Sequence, residues 1–303
     1  MPYDLAMRRS IESPPSITLD PPLAAALAAL VRSMGSAQFV QEVVNTLSMV
    51  CGADSGGAMM LFRHQRPRQL LHRFDSTQRT VPDDAYLNGP YVLDPHYQRF
   101  LEGCDSGAYW LADIAPDDFY ESEYYRVFYS QIGVSDSIDV LWRIDADTGL
   151  VFFLERSARS HPFDHSTLAA VRLILPALFA VVAKHHEISD APAAAADDDL
   201  THRKVQTTIE HFGSSLLTKR EQQVLFYALS GYSSGLTAQR LHTSEGTVKI
   251  HRKNIYRKLE IGSQVELFSL FIQCIPYAKP GTKEDPLTVL QGSPATAPAP
   301  VKW

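Results

Sequence analysis

The chain of 303 residues has only three cysteines, Cys51, Cys104 and Cys274, and no two of them lie close together. That spacing excludes a disulfide framework and a Cys/His zinc site, and it suits a reducing cytoplasm. No unbroken run of 18 apolar residues occurs, so the sequence predicts no membrane span. Residues 1–16 hold Arg8-Arg9 and three prolines, without the apolar stretch a signal peptidase needs. A Gly-rich loop ending in Lys-Ser or Lys-Thr is missing, as are a nucleophile elbow and any metal-spaced His/Cys cluster. His185-His186 ends a long helical stretch, where the helix dipole is reason enough for it. The expectation is a protein that binds rather than an enzyme, with neither metal nor cofactor.

Charge is present in plenty but unevenly. Residues 201–275 carry ten Lys or Arg against five Asp or Glu, a balance of +5. The last 28 residues add +1, and the net charge of −6 then leaves −12 for the first 200. A basic third behind an acidic remainder predicts that one part meets a polyanion and the other does not.

Local patterning divides the chain into five parts. Residues 1–20 are Pro-rich and read as a flexible tail. Residues 21–188 give helices over 23–32 and 36–50, then strands over 56–62 and 69–74. A helix over 94–101, a strand over 108–111 and an aromatic-rich helix over 121–132 follow. Strands over 137–143 and 150–155 flank the turn Asp-Ala-Asp-Thr-Gly, and a helix over 164–187 contains Pro176, which predicts a kink. This order predicts an α/β sandwich, an antiparallel sheet of about five strands with flanking helices, the layout of sensory domains of the GAF and PAS kind. Residues 189–203, with Ala and Asp runs, read as a linker. Residues 204–275 form an all-α domain, and residues 276–303, punctuated by Pro and Gly, read as a disordered tail.

The all-α domain is marked by its caps. Thr218 and Glu221 have capping-box spacing, Ser233 or Ser234 can cap a second helix, and Ser244 a third. On the third helix Val248, Ile255 and Leu259 fall within ~20° of one line. Lys249, Ile250, Lys253 and Arg257 occupy the opposite side. Such a face fits the DNA major groove, where Lys donates to guanine and an apolar side chain touches a thymine methyl. Thr247, His251, Arg252 and Lys258 flank the strip within reach of phosphates. A merely solvated basic face is the alternative for an isolated helix, but the capped helix and tight turn just upstream argue against it.

The run Leu217-Thr-Lys-Arg-Glu, with Gly231, Gln239-Arg-Leu and then Ser244-Glu-Gly-Thr-Val-Lys-Ile-His-Arg-Lys-Asn-Ile-Tyr-Arg-Lys-Leu259, resembles the LuxR/NarL/GerE helix-turn-helix over about 60 residues. The resemblance implies a DNA-binding transcriptional regulator acting as a homodimer on a pseudo-palindromic operator. It implies base contacts from Lys249, Ile250 and Lys253, with Thr247, His251 and Arg252 near the backbone or supporting the helix. It also implies a dimer contact from the last helix through Leu267, Leu270 and Phe271, with some of that face covering the domain's own core. Two positions depart from the family pattern: Thr237-Ala238 stands where Ile-Ala is usual, and Glu260 stands where a Gly usually ends the helix. Gly262 is expected to serve instead.

The acidic part concentrates aromatics and isolated acids: Tyr86, Tyr91, Asp94, Tyr109, Trp110, Tyr124, Tyr125, Tyr129 and Asp136. Taken singly these are ordinary core residues. Together they predict an aromatic pocket with a few polar groups for a small organic effector. Asp94-Pro95 after spaced tyrosines distantly resembles the autoinducer-binding domain of quorum-sensing LuxR proteins, in which that Asp receives the ligand's amide. No Trp precedes Asp94, which points to a "solo" regulator with a different small-molecule effector. One reading uses Asp94, Glu121, Glu123 and Asp136 with the tyrosines to hold a cationic amine. The alternative is control by a protein partner or by oxidation of Cys51 or Cys104.

Overall fold

The computed structural model describes residues 20–73, 85–189 and 199–292. The predicted N-terminal tail, the centre of the predicted linker and residues 293–303 lie outside the described residues.

Helix α1 (Pro21–Arg32) starts where Asp20 accepts the amide of Leu23, with prolines in its first turn. Helix α2 (Phe39–Cys51) ends at Gly52 in the left-handed conformation. Strands β1 (Ser55–Phe62) and β2 (Arg68–Arg73) form a hairpin. Helix α3 (Pro95–Leu101), strand β3 (Gly107–Trp110) and the single turn α4 (Leu111–Ile114) follow. Strands β4 (Val134–Arg143) and β5 (Thr148–Ser157) lead to helix α5 (His165–Ile188). The five strands make one antiparallel sheet in the order β2-β1-β5-β4-β3, as the α/β sandwich expectation required.

Alternation assigns the two faces of this sheet. Ala58, Ile138, Val140, Phe152 and Leu154 face a core closed by α2 and α5. Among the described residues, α5 alone has the length and apolar composition of a membrane span. Its line Leu168, Val171, Leu175, Leu178 and Val182 is nevertheless buried in that core. Met59, Leu61, Leu141 and Val151 belong to the core on the other face. A bulge in β4 between Val134 and Asp136 sets which of its side chains point there. The aromatic segment predicted as an α-helix instead combines a 3-10 turn (Phe119–Glu121) with a π-helical turn (Tyr125–Ser130). Wider π geometry places Tyr124, Phe128 and Tyr129 together over the sheet, and such turns recur at functional sites.

The second part begins earlier than the predicted residue 204, because Asp199 caps helix α6 (Leu200–His211). Helix α7 (Lys219–Leu229) has the reciprocal Thr218–Glu221 capping box. Ser233, Ser244 and Ser263 cap α8 (Ser234–Arg240), α9 (Glu245–Leu259) and α10 (Gln264–Cys274).

The predicted disorder from residue 276 onward is wrong up to residue 292. Helix α11 (Pro286–Gly292) folds back on the domain with Leu287 fully buried. Asp285 accepts the amides of Gly213 and Ser215 at 2.9 Å each and the Ser215 hydroxyl at 2.6 Å. Composition misjudged the segment because one buried acid and one leucine, not a periodic stripe, hold it.

The expectation of Gly262 as substitute helix terminator is also corrected. Glu260 itself adopts the left-handed conformation, with φ 56°. An L-residue there costs about 1 kcal/mol relative to glycine. Glu260→Gly is therefore expected to stabilise the protein by about 0.5–1 kcal/mol in urea unfolding, the gain trimmed by glycine's freedom in the unfolded chain.

Candidate nucleic-acid interface and effector cavity

Helix α9 carries the exposed basic face. Val248, Ile255 and Leu259 are buried beneath it, and Lys249, Ile250, Lys253 and Arg257 are exposed. Ile250 is 62% exposed, a large apolar residue without intramolecular cover. Lys249 pairs with Glu245 at 2.6 Å, one turn back in solvent, where such a pair is weak. Thr247 is half-buried, with its hydroxyl 2.8 Å from that of Ser244. The flanking cations do not behave as the sequence suggested. Arg252 donates to the carbonyl of Tyr232, and Lys258 reaches the buried Glu221 at 2.7 Å. Both brace α9 against its own domain. His251 is half-buried, and its Nδ1 has no hydrogen-bond partner.

The predicted dimer residues are placed differently from expectation. Leu267 and Phe271 are fully buried in their own chain, and Leu270 is half-buried. Phe271 stands edge-on to Phe212 of its own domain at 5.6 Å between ring centroids, and beside it Phe268 meets Phe128 of the acidic domain at 6.4 Å. Val265, half exposed, with Ser269 and Ile272 forms the open stripe of that helix.

The two parts meet along a polar and apolar seam. The Asp118 amide donates to the Gly231 carbonyl at 3.0 Å. Asp117 accepts both the amide and the hydroxyl of Ser233, the cap of α8. The Tyr91 hydroxyl lies 2.8 Å from Nδ1 of His202, and Gly89 lies against Ile275. One apolar core runs from the sheet into the helical domain. The docked α/β domain covers none of Lys249, Ile250, Lys253 and Arg257, so the basic face of α9 stays open.

Between the sheet and the aromatic segment lies a cavity of about 140 Å³. Tyr86, Asp94, Tyr124 and Tyr129 line it, as expected. The other five predicted residues do not. Tyr91 is turned to His202 and Tyr97. Tyr109 donates to the Asp105 carbonyl. Trp110 donates to Asp136, which also accepts the amides of Ser137 and Phe163. Tyr125 stacks on Tyr129 from outside. Glu121 is exposed and Glu123 pairs with Arg126, so neither faces the cavity.

In their place the cavity takes His72, His96, Tyr97, Asp139 and Glu155. Asp139 and Glu155 sit at alternate positions of β4 and β5, where a strand with one wet face would simply show them to water. Only the covering of both sheet faces turns them inward.

Asp94 caps α3 by accepting the His96 amide at 2.8 Å and also accepts the hydroxyls of Tyr124 and Tyr86 at 3.1 and 3.3 Å. Burial raises its pKa against those hydrogen bonds. Burial, joined by the charges of Asp94 and Glu155, holds the Asp139 carboxyl well above the usual carboxylate range. Burial pushes His96 down to about 3, so its ring is neutral.

An exposed basic helix on a capped helix-turn-helix, set against an α/β domain with an internal cavity, defines a DNA-binding regulator. Residues 215–271 match the family described as "Bacterial regulatory proteins, luxR family"; the C-terminal domain is a luxR-family helix-turn-helix. A protein of Aeromonas salmonicida, named as an HTH-type transcriptional regulator in the exeN 3' region, is 29% identical over 197 residues, 64% of this chain and all of that one. The response regulator TodT of Pseudomonas putida is 53% identical over 51 residues, 22% of its own length. Among solved structures, the VqsR LBD domain from Pseudomonas aeruginosa aligns with a TM-score of 0.49 and 23% identity, over 56% of this chain and 100% of that one.

Proposed function

We propose that this protein is a cytoplasmic, homodimeric transcriptional regulator whose N-terminal cavity binds a small organic effector and thereby controls operator binding. The carrying observation is physical continuity. Phe128 lines the cavity and packs on Phe268 of α10, so an occupant that moves the π-helical turn bears directly on the DNA-binding domain. Lys249, Ile250, Lys253 and Arg257 read base edges, with Thr247 and His251 beside the backbone. Two such domains related by a dyad read a pseudo-palindromic site, and the Val265–Ile272 stripe of α10 is the surface left for their contact.

Control by oxidation of Cys51 or Cys274 is disfavoured. Burial pushes the Cys51 thiol up to about 11 and the Cys274 thiol up to about 12, whereas a redox sensor needs accessible thiolate.

The test is a thermal-shift screen of metabolites on the full chain. A ligand at 100 times its Kd adds about 2.7 kcal/mol, which raises Tm by roughly 4–5 °C at this size. The shift is expected to vanish in Val151→Trp, which fills the cavity. A hit whose shift survives Val151→Trp would place the effector elsewhere.

A further inference from the structure

The cavity is unbalanced in sign. Its lining holds three carboxyl groups, Asp94, Asp139 and Glu155, and among the described residues no Lys or Arg. Asp94 is satisfied by two phenols and a backbone amide, and Glu155 accepts the Ser55 hydroxyl at 2.7 Å. Asp139 is different. Its closest basic atom is His96 Nδ1 at 3.6 Å, beyond hydrogen-bond distance. Among the described residues that nitrogen has no hydrogen-bond partner, although the His96 side chain is only 7% exposed. Its other ring nitrogen is engaged, 3.1 Å from Ser137 Oγ. A buried ring nitrogen without a partner thus stands beside a carboxyl on the cavity wall, and burying such a group without a partner is costly.

Three features select the occupant that would relieve this cost. The sign of the lining calls for a cation. The walls are aromatic, with Tyr86, Tyr97, Tyr124, Tyr129, Phe128 and Phe153 contributing, and π faces attract organic cations. Among the described residues no three His, Cys, Asp or Glu side chains are placed to hold a metal ion, which favours an organic cation over an inorganic one. Size is limited as well, since a cavity of about 150 Å³ holds benzene.

Resting on the effector reading above, we propose that the effector is a small primary amine of about six to eight heavy atoms, its ammonium held by Asp139 and His96 Nδ1. Its apolar body lies against Met59, Leu61 and Val151. Binding removes a proton. The Asp139 carboxyl faces Asp94 and His96 on the α3 side, Tyr129 from the π-helical turn, and Glu155 with His72 behind it. It therefore holds its proton in the empty cavity, and the arriving ammonium ionises it, the proton leaving to solvent. Amine affinity consequently rises with pH through the range in which the Asp139 carboxyl ionises.

The experiment titrates benzylamine and isoamylamine, and the neutral benzyl and isoamyl alcohols, into the full chain by calorimetry. The amines are expected to bind at least about tenfold tighter than the alcohols, as a charged hydrogen bond requires. Asp139→Asn is expected to erase that preference. If the alcohols bind as well as the amines, or Asp139→Asn leaves the preference intact, the cation assignment falls and the cavity reading stands. If neither class binds, the amine proposal falls, while the metabolite screen with Val151→Trp still judges the cavity. Should the variant not fold, repeating the amine titration on the wild type in two buffers of different ionisation heat decides: absence of proton release overturns the proposal.

Discussion

Replacing Lys249 and Lys253 together with Ala is expected to abolish specific operator binding while leaving far-UV circular dichroism and Tm unchanged. Both side chains are exposed on α9, and among the described residues their only ion pair is the solvent-exposed one between Lys249 and Glu245. Removing that pair costs the fold at most about 1 kcal/mol. A good side-chain pairing with a base edge is worth about 1–3 kcal/mol of discrimination, so the double substitution lowers specific affinity roughly 10²- to 10⁴-fold. Footprinting or fluorescence anisotropy at fixed salt would measure it, since affinities without a salt concentration cannot be compared. A normal footprint from the folded double variant would remove α9 as the reading helix. These two lysines are the informative choice because Arg252 and Lys258 are tied to Tyr232 and Glu221. Substituting those two would confound DNA contact with helix position.

The contrast between the two halves of the molecule has a physical origin. The helix-turn-helix was legible because its determinants are local: Thr218 and Glu221 three apart, Ser244 before α9, and apolar residues at helical spacing along α9. Nothing distant is needed to read them. The sheet and its order of elements were also legible, from alternation and turn residues. The cavity was half legible. Tyr86, Asp94, Tyr124 and Tyr129 belong to the aromatic cluster visible in the sequence, but Asp139, between Ile138 and Val140, and Glu155, after Leu154, read as solvent-facing strand positions. Their inward orientation depends on the cover above the sheet. The fate of Leu267 and Phe271 was likewise decided by tertiary packing, because an apolar helix face does not say which surface will cover it.

Gly231 is where the docking of the two parts is expected to be most sensitive. It follows α7, with φ +83°. Its second role lies across the seam. A Cβ on Gly231 would stand 2.9 Å from the Phe119 Cα, and backbone cannot step aside as a flexible side chain can. The hydrogen bond from the Asp118 amide to the Gly231 carbonyl, and those from Ser233 to Asp117, lie within two residues of it. Gly231→Ala should therefore cost about 1 kcal/mol for the left-handed backbone and a further 1–3 kcal/mol, roughly, for the clash. Gly281→Ala separates the two. Gly281 has a similar φ of +81° but nothing within 4 Å of its would-be Cβ, so it carries the backbone cost alone. Calorimetry is expected to show one cooperative transition for the wild type and Gly281→Ala. For Gly231→Ala the helical and α/β parts should melt separately, because the shared core between them has been opened. DNA binding at low salt should persist in Gly231→Ala, since the face of α9 is remote from the seam, while any effect of a cavity ligand on operator affinity should disappear. A variant that unfolds in one transition and keeps its ligand response would show that the seam does not carry the coupling.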